Sequence, residues 1–234
     1  MNSKVSVLIL MGSPGAGKGT QAELLSDKLN LTYIETSKIL EEKFWNAKEG
    51  EYMEAEGKKY FLLDEKKLWQ TGMLNSPPFV TALMKEKIQN LFHQQKSLLL
   101  AGSPRTIHEG KEEMPLFENL YGKENIRIIE IKVSEKESLF RNSHRRLCSL
   151  MRHPILYSKE TENLTLCPLD GSLLQKREGL DDPETIKVRF KEYRERTFPL
   201  IEYFKKGGFF FKEINGNQPV ADVFSDILHV LQEQ

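Results

Sequence analysis

One segment near the amino terminus indicates the fold: Val5-Ser-Val-Leu-Ile-Leu-Met11-Gly-Ser-Pro-Gly-Ala-Gly-Lys18-Gly-Thr20. Residues 5–11 are almost wholly apolar, which is typical of a strand covered on both faces in a parallel sheet. Residues 21–29 then place apolar side chains at helical spacing. A strand, a glycine-rich turn and a helix in this order form the context that a phosphate-binding loop requires.

The glycine-rich turn has the chemistry of a nucleotide triphosphate site. Glycines let backbone N–H groups turn inward around an anion, and the following helix adds its positive amino-terminal end. Lys18 adds a full positive charge. Gly19 stands where most such loops place a Ser or Thr that binds Mg²⁺, and Thr20 follows it. ATP is therefore expected at the loop, on residues Gly15, Ala16, Gly17, Lys18, Gly19 and Thr20.

Composition excludes several other classes of protein. The 234 residues carry 34 basic and 34 acidic side chains, a net charge of zero, whereas a dedicated nucleic-acid binder normally has a basic excess. The longest apolar runs, residues 5–11 and 97–101, are far too short to cross a bilayer, and no signal peptide is recognised. Two cysteines are too few for a disulfide framework. We therefore expect a soluble cytoplasmic protein without nucleic-acid or membrane partners.

Four further short runs predict the rest of the sheet. Residues 32–35, 97–101, 127–133 and 209–214 are apolar or rich in β-branched residues, and helical stretches separate them. This alternation predicts an α/β fold with a parallel sheet covered by helices. With the first strand, the expected architecture is a three-layer sandwich around a five-stranded parallel sheet, like that of P-loop NTPases.

The loop motif, Gly-x-Pro-Gly-x-Gly-Lys-Gly-Thr, resembles that of adenylate kinases and related nucleoside monophosphate kinases. The resemblance continues through four later segments of the chain: Gly102-Ser-Pro-Arg-Thr106, Arg141-Asn-Ser-His-Arg145-Arg-Leu-Cys148, Asp181-Asp-Pro-Glu-Thr-Ile-Lys-Val-Arg189 and Ile214-Asn-Gly216. It implies a monomeric kinase that uses Mg²⁺ and reversibly transfers the γ-phosphoryl group of ATP to a nucleoside monophosphate. The expected acceptor is AMP.

The same resemblance divides the chain into three parts. Residues 1–35, 77–145 and 179–234 correspond to the core. Residues 36–76 correspond to the insertion that binds the nucleoside monophosphate, here called the acceptor insertion, and residues 146–178 to the mobile lid. Within the acceptor insertion, the Lys- and Glu-rich stretches are interpreted as solvated helix faces. Trp45 and Trp69 are interpreted as anchors of a small core, although one of them would also suit the acceptor pocket.

Phosphoryl transfer depends on positioning and charge neutralisation, so guanidinium groups are the side chains to look for. Carried over from the family, Arg105 would hold the phosphate of the acceptor, and four other arginines would surround the transferring group. The expected catalytic residues are Lys18, Arg105, Arg141, Arg145, Arg177 and Arg189. The expected acceptor-binding residues are Thr36, Lys38, Gly102, Arg105 and Glu109.

Four departures from the family pattern lie on the acceptor and metal side. Ala101 replaces an Asp that helps to hold hydrated Mg²⁺, and Ser103 replaces a Phe. Glu41 replaces an arginine that binds the monophosphate, and Lys38 is the candidate for the missing charge. Glu109 replaces the glutamine that reads adenine. Two alternatives therefore remain open: a UMP/CMP-type kinase, and a nucleotide-binding regulator or scaffold with weak or lost transfer activity.

The lid carries the remnant of a metal site. Some family members hold the lid with zinc through two knuckles, which here correspond to Cys148-x₂-Met151 and Cys167-x₂-Asp170. A thioether is a poor zinc ligand, and His153 is the alternative fourth ligand. We favour a knuckle held by packing and hydrogen bonds, with structural zinc as the alternative.

Overall fold

The computed structural model describes residues 5–176 and 181–233. In these ranges the chain forms ten strands and nine α-helices, with a 3₁₀ turn at Lys123–Asn125 and a π-helical turn at Tyr193–Thr197. The strands are β1 Val7–Met11, β2 Thr32–Glu35, β3 Tyr52–Ala55, β4 Lys58–Phe61, β5 Leu98–Ala101, β6 Ile126–Lys132, β7 Arg146–Cys148, β8 Pro154–Ile155, β9 Leu174–Gln175 and β10 Phe210–Asn215. The helices are α1 Lys18–Leu29, α2 Thr36–Trp45, α3 Leu62–Gln70, α4 Pro77–His93, α5 Ile107–Tyr121, α6 Glu135–Ser143, α7 Pro183–Glu192, α8 Pro199–Lys206 and α9 Val220–Gln232.

The central sheet has five parallel strands in the order β10-β6-β1-β5-β2. The predicted α/β fold and its five-stranded parallel sheet are confirmed. Register places Leu10 of β1 beside Ala101 of β5, so the carboxyl ends of these neighbouring strands lie at the same edge. The loops that follow the two strands therefore lie side by side, which is where open parallel sheets bind ligands.

Helices cover both faces of the sheet. Alternate residues of β1 and β5 pack into two separate apolar clusters: Val7, Ile9 and Leu100 face one side, while Leu8 and Leu99 face the other. Because each strand is buried on both faces, its sequence is continuously apolar rather than alternating. The expected three-layer arrangement follows from this.

The acceptor insertion contains α2, the β3–β4 hairpin and α3. Its turn is Glu56-Gly57, with φ of 51° and 72°, the left-handed pair that a two-residue hairpin turn requires. Lys58 therefore begins a strand, which corrects the interpretation of this stretch as a helix face. Trp69 lies 6.3 Å from Phe44 in the core, as expected.

Trp45 departs from its expected role. Its side chain is 76% exposed at the end of α2, so it anchors no core.

The lid segment between α6 and α7 carries a small antiparallel sheet in the order β8-β7-β9. A further antiparallel bridge joins Leu166 to Leu173. Among the helices of the described ranges, none combines the length and the apolar character needed to cross a bilayer.

Candidate active site

A pocket opens at the carboxyl ends of β1 and β5 and encloses about 850 Å³ of space, including its mouth. Three of the predicted cationic residues, Lys18, Arg105 and Arg189, line it together. They come from the loop after β1, the turn after β5 and helix α7. Three positive side chains converging on one concave surface make an anion-binding site.

The loop after β1 forms one wall of this pocket. The Lys18 ammonium group donates hydrogen bonds to the carbonyls of Gly12 at 2.6 Å and of Ser13 at 2.9 Å, so it lies folded over the loop. The hydroxyl of Ser138 on α6 donates to the carbonyl of Pro14 and anchors the loop from behind. Gly17 has φ of 92°, a backbone conformation that favours glycine. The residues predicted to bind ATP therefore lie together in the loop and the first turn of α1: Gly15, Ala16, Gly17, Lys18, Gly19 and Thr20.

The turn after β5 forms the opposite wall. Gly102 has φ of 117°, and a Cβ built on it would lie 2.5 Å from a guanidinium nitrogen of Arg105. Only glycine therefore lets the Arg105 side chain fold over the turn and into the pocket. Both residues were predicted as acceptor-binding, and both line the pocket.

Glu109 does not face the pocket as its expected role in reading a base requires. It is 2% exposed, and its carboxylate accepts hydrogen bonds from the Arg105 amide at 2.8 Å and the Thr106 hydroxyl at 3.0 Å. The Thr106 hydroxyl in turn accepts from the Glu109 amide. The Thr106 side chain thus caps α5, and Glu109 ties the first turn of the helix to the backbone of the residue before the cap, in a variant of the capping box.

A second buried carboxylate lies one helical turn further along α5. Glu113 is fully buried, and the Ser103 hydroxyl lies 2.8 Å and 3.0 Å from its two oxygens. The same hydroxyl lies 3.4 Å from a Glu109 oxygen. Burial raises the pKa of Glu109, and burial together with the Glu109 charge raises the pKa of Glu113 well above its ordinary value. Nothing in the motif pattern singles out Glu113.

Two of the predicted catalytic arginines, Arg145 and Arg189, meet at one buried acid. The Asp181 side chain is fully buried, and its carboxylate lies 3.9 Å from the guanidinium of Arg145 and 4.0 Å from that of Arg189. Its neighbour Asp182 instead caps α7, accepting from the Thr185 amide at 3.0 Å. Both acids belong to one sequence motif, and the motif alone does not distinguish these two roles.

The remaining arginines are placed differently. Arg141 donates to Glu137 at 2.7 Å and to the Gly216 carbonyl at 2.9 Å, and it lies outside the lining of the pocket. Arg177 falls outside the described residues.

At the start of the acceptor insertion, Ser37 lines the pocket, whereas the two predicted residues beside it, Thr36 and Lys38, do not. The Thr36 hydroxyl is buried and lies 3.9 Å from the sulfur of Met84. Lys38 is half-exposed and pairs with Glu35 at 3.4 Å.

Glu41, which replaces a phosphate-binding arginine, reaches across to the lid. Its carboxylate lies 2.8 Å from the guanidinium of Arg152 in an ion pair. Proximity to Glu41 raises the pKa of Arg152. An ion pair thus joins the acceptor insertion to the lid.

Three more side chains, Trp69, Glu192 and Tyr193, line the pocket. Trp69 is one of the two tryptophans suggested for the acceptor pocket, whereas Glu192 and Tyr193 lie outside the predicted set. Glu192 accepts a hydrogen bond from the Leu74 amide at 3.0 Å and so ties α7 to the acceptor insertion. The Tyr193 hydroxyl lies 3.3 Å from a carboxylate oxygen of Glu130, and burial raises the pKa of both groups. An aromatic residue in the insertion was the signal available for Trp69; Glu192 and Tyr193 carried none.

In the lid, four candidate ligand atoms converge. Cys148, His153, Cys167 and Asp170 each place one such atom within 4.8 Å of the others. The amide of Met151 donates to the Cys148 sulfur at 3.2 Å. The Cys148 thiol donates to Asp170 at 2.8 Å and, as the largest cause, lowers the pKa of that carboxyl. His153 lies 3.1 Å from the Cys167 sulfur.

Comparison with known proteins gives one consistent family. The family model described as adenylate kinase matches residues 10–209. The chain is 32% identical over 227 residues to an adenylate kinase of Caldicellulosiruptor saccharolyticus, covering 96% of this chain and 98% of that relative. It is 32% identical over 229 residues to one of Oceanobacillus iheyensis, covering 97% and 99%. With one of Caldicellulosiruptor bescii the identity is 33% over 227 residues, covering 96% and 98%.

Proposed function

The chain belongs to the adenylate kinase family of phosphotransferases, and from that premise we propose how its residues divide the reaction. The reaction is reversible transfer of the γ-phosphoryl group of ATP to AMP, which gives two ADP. The observation that carries this assignment is the convergence of Lys18, Arg105 and Arg189 on one pocket between two loops of the sheet edge. Positive groups gathered there neutralise the charge that develops on the transferring phosphoryl group.

The donor substrate is ATP with its Mg²⁺. The amides from Gly15 to Thr20 surround the β- and γ-phosphates, and Lys18 leaves the loop carbonyls to follow the transferring group. Ala101 has no oxygen to offer a metal ion. The Mg²⁺ that enters with ATP would therefore be held by nucleotide oxygens and water, with the Thr20 hydroxyl as the protein oxygen available to it.

The acceptor phosphate binds to Arg105 above Gly102, with Lys38 as the replacement for the charge that Glu41 does not supply. Arg145 and Arg189 contact the transferring group, and Asp181 holds both in place. Arg141 and Arg177 complete the set by family resemblance. Thr36 and Glu109 support the backbone of the acceptor side, because both side chains are buried.

Water must leave the pocket before transfer, since it would otherwise accept the phosphoryl group. The Glu41–Arg152 ion pair supports this step, because it joins the acceptor insertion to the lid. With the lid closed only around both substrates, ATP hydrolysis without a monophosphate should be much slower than transfer.

A coupled assay for ADP tests the function. Purified protein is given MgATP with AMP, UMP or CMP, and ATP binding is measured separately by calorimetry. Fastest turnover with AMP is expected. Faster turnover with UMP or CMP would select the pyrimidine kinase alternative, and ATP binding without turnover of any monophosphate would select a regulator or scaffold.

We also propose that the lid holds a structural zinc ion on Cys148, His153, Cys167 and Asp170. Two thiolates, an imidazole and a carboxylate form a donor set that zinc accepts, and ligand atoms around tetrahedral zinc stand about 3.3–3.8 Å apart. The four atoms lie within 4.8 Å of one another, so small adjustments suffice. The amide of Met151 already donates to the Cys148 sulfur, which stabilises a thiolate. This replaces the sequence-based preference for a lid held without metal.

Elemental analysis of the purified protein tests the metal. About one zinc per chain is expected, and a strong chelator should lower the unfolding temperature. His153→Asn should reduce the zinc content, whereas Met151→Ala, in the same knuckle but with an exposed side chain, should leave it unchanged. Protein without stoichiometric metal, and with chelator-independent unfolding, would contradict the proposal.

We further propose that the protein acts as a monomer in the cytoplasm. The two cysteines are free thiols rather than a disulfide, which suits a reducing compartment. Light scattering at micromolar concentration, with and without both nucleotides, checks the oligomeric state.

A further inference from the structure

Beneath the turn that carries Arg105, a hydroxyl lies between two buried carboxylates. Ser103 is 2% exposed and lies within 3.4 Å of Glu109 and within 3.0 Å of Glu113. Glu109 accepts the backbone N–H of Arg105 and the hydroxyl of Thr106. A chain of polar contacts thus leads from the interior of α5 to the backbone of the phosphate-binding arginine.

The number of available protons limits how this chain can be arranged. The Ser103 hydroxyl has one hydrogen to donate, and an ionised carboxylate can only accept. If both glutamates were ionised, the hydroxyl could donate to only one of them, and its contact with the other would bring two oxygens together with no hydrogen between them. If Glu113 carries a proton, it donates to Ser103, and Ser103 donates to Glu109. Every contact is then satisfied.

Burial favours the same arrangement. Among the described residues, the Ser103 hydroxyl is the hydrogen-bond partner of Glu113, and a fully buried charge with one neutral partner is costly. Glu109 has the backbone amide and two hydroxyls around it, and its neighbour Arg105 favours the ionised form. Two carboxylates this close rarely ionise together. Glu109 is therefore the charged member of the pair.

We propose that Glu113, in its protonated form, is a positioning residue for the acceptor phosphate: acting through Ser103 and Glu109, it fixes the turn that presents Arg105. The inference rests on the proposed function, because Arg105 is the residue that it positions. Loss of the proton frees the turn, so AMP binding weakens as the pH rises while ATP binding stays constant.

Charged groups on every neighbouring element bear on this proton. Glu109 lies on the same helix, and Arg105 lies on the turn. Lys85 on α4 acts on Glu113 at longer range, and Arg196 in the π-helical turn acts on Glu109. On α8, Tyr203 donates to the Gly110 carbonyl. The cations lower the pKa of the two carboxyls, but burial outweighs them.

The sign of the stability effect follows from the raised pKa. Between the ordinary value of 4.5 for Glu113 and its raised value in the fold, the folded chain binds more protons than the unfolded chain. Stability is therefore greatest below the ordinary pKa and falls as pH rises through the raised one. A Glu113→Gln variant lacks this loss, so its stability relative to the wild type should increase with pH.

The test measures KM for AMP, KM for ATP and the calorimetric Kd for AMP between pH 6 and 10. In the wild type, the KM and Kd for AMP should rise at alkaline pH and the KM for ATP should not. Glu113→Gln, which keeps a neutral hydrogen-bonding group, should lose the alkaline rise. Glu113→Leu should raise the KM for AMP severalfold, at most about tenfold, at neutral pH, the size expected for one hydrogen bond between neutral groups.

Glu118→Gln is the matched control, because Glu118 is a partly exposed glutamate of the same helix. It should behave as the wild type does. If Glu113→Leu does not fold, Ser103→Ala removes the bridging hydroxyl and should give the same increase. An alkaline rise that survives in Glu113→Gln, or equal changes in both KM values, would overturn the positioning role.

The outcomes separate this inference from the function on which it rests. AMP turnover with pH-independent affinity would contradict the role of Glu113 alone. AMP binding with the expected pH pattern but without ADP formation would contradict the proposed function alone. Absence of AMP binding would contradict both.

Discussion

The donor side and the acceptor side of the pocket are built in different ways. The donor side is one continuous loop after the central strand β1, and its proposed ligands are mostly backbone amides, with Lys18 folded over the loop. The acceptor side combines the turn after β5, helix α2 and the neighbouring helices α5 and α7. Its proposed ligands are side chains, and these come from segments that are far apart in the sequence.

This difference explains where the chain departs from its family. Backbone amides do not change with the side chains, so the donor loop keeps its geometry through a short motif. On the acceptor side, two of the residues that depart from the family pattern make polar contacts with side chains of other segments. Glu41 pairs with Arg152 of the lid, and Ser103 hydrogen-bonds to Glu113. The acceptor side therefore retains a pocket with different side-chain contacts.

The largest effect is expected from breaking the donor side. Lys18→Met removes the one full charge of the loop, so kcat should fall about 10²–10³-fold, as for other lost transition-state contacts. Stopped-flow or coupled assays with both substrates measure it. Lys28→Met, in the last turn of the same helix, is the control and should retain activity. A Lys18→Met variant with native turnover would refute the donor-site assignment.

An intermediate effect is expected at the two adjacent acids. Asp181→Asn loosens Arg145 and Arg189, and the misplaced cations should lower kcat about ten- to hundredfold. Asp182→Asn changes only the cap of α7. Both variants are compared by steady-state kinetics and thermal unfolding.

Asp182→Ala provides the structural contrast. Loss of the cap should cost about 1 kcal/mol, or about 2–4 °C in Tm, with kinetics nearly unchanged. If this variant lost as much activity as Asp181→Asn, the separation of roles would fail.

The smallest effect is expected at the contact between the acceptor insertion and the lid. The Glu41–Arg152 pair is partly exposed, so its coupling energy should be at most about 1 kcal/mol and should decrease with salt. A double-mutant cycle with Glu41→Gln and Arg152→Gln on the KM for AMP measures it. Glu42→Gln, on the same helix, is the control; additive effects of the two changes would show that the ion pair contributes nothing to binding.

Local patterns predicted some elements well and missed others. The apolar or β-rich runs located all five sheet strands to within a residue or two. The central strands β1 and β5 are buried on both faces and therefore continuously apolar, whereas the edge strands β2 and β10 were marked by their aromatic and β-branched residues. The β3–β4 hairpin was missed, although Gly57 and the aromatic residues of both strands were available as a signal. The hairpin was missed because the exposed residues Lys58 and Lys59 of β4 have the charged character that is also typical of a solvated helix face.

Side-chain roles were less predictable. Glu109 was placed at the acceptor base by its position in a motif, yet its contacts are with the backbone of its own turn. Thr106, three residues earlier, was the capping signal that would have indicated this role. No comparable local signal marked Glu113 or Glu192, because their partners lie on other segments.

The sequence by itself determined the parallel sheet, the phosphate-binding loop and the family, since these depend on burial and backbone conformation that neighbouring residues dictate. Only the tertiary structure decided that Asp181 lies between two arginines, that Glu41 pairs with the lid and that Ser103 joins two buried carboxylates. The physical reason is distance along the chain. Desolvation and charge pairing act between groups that folding brings together, and a single sequence records no such proximity.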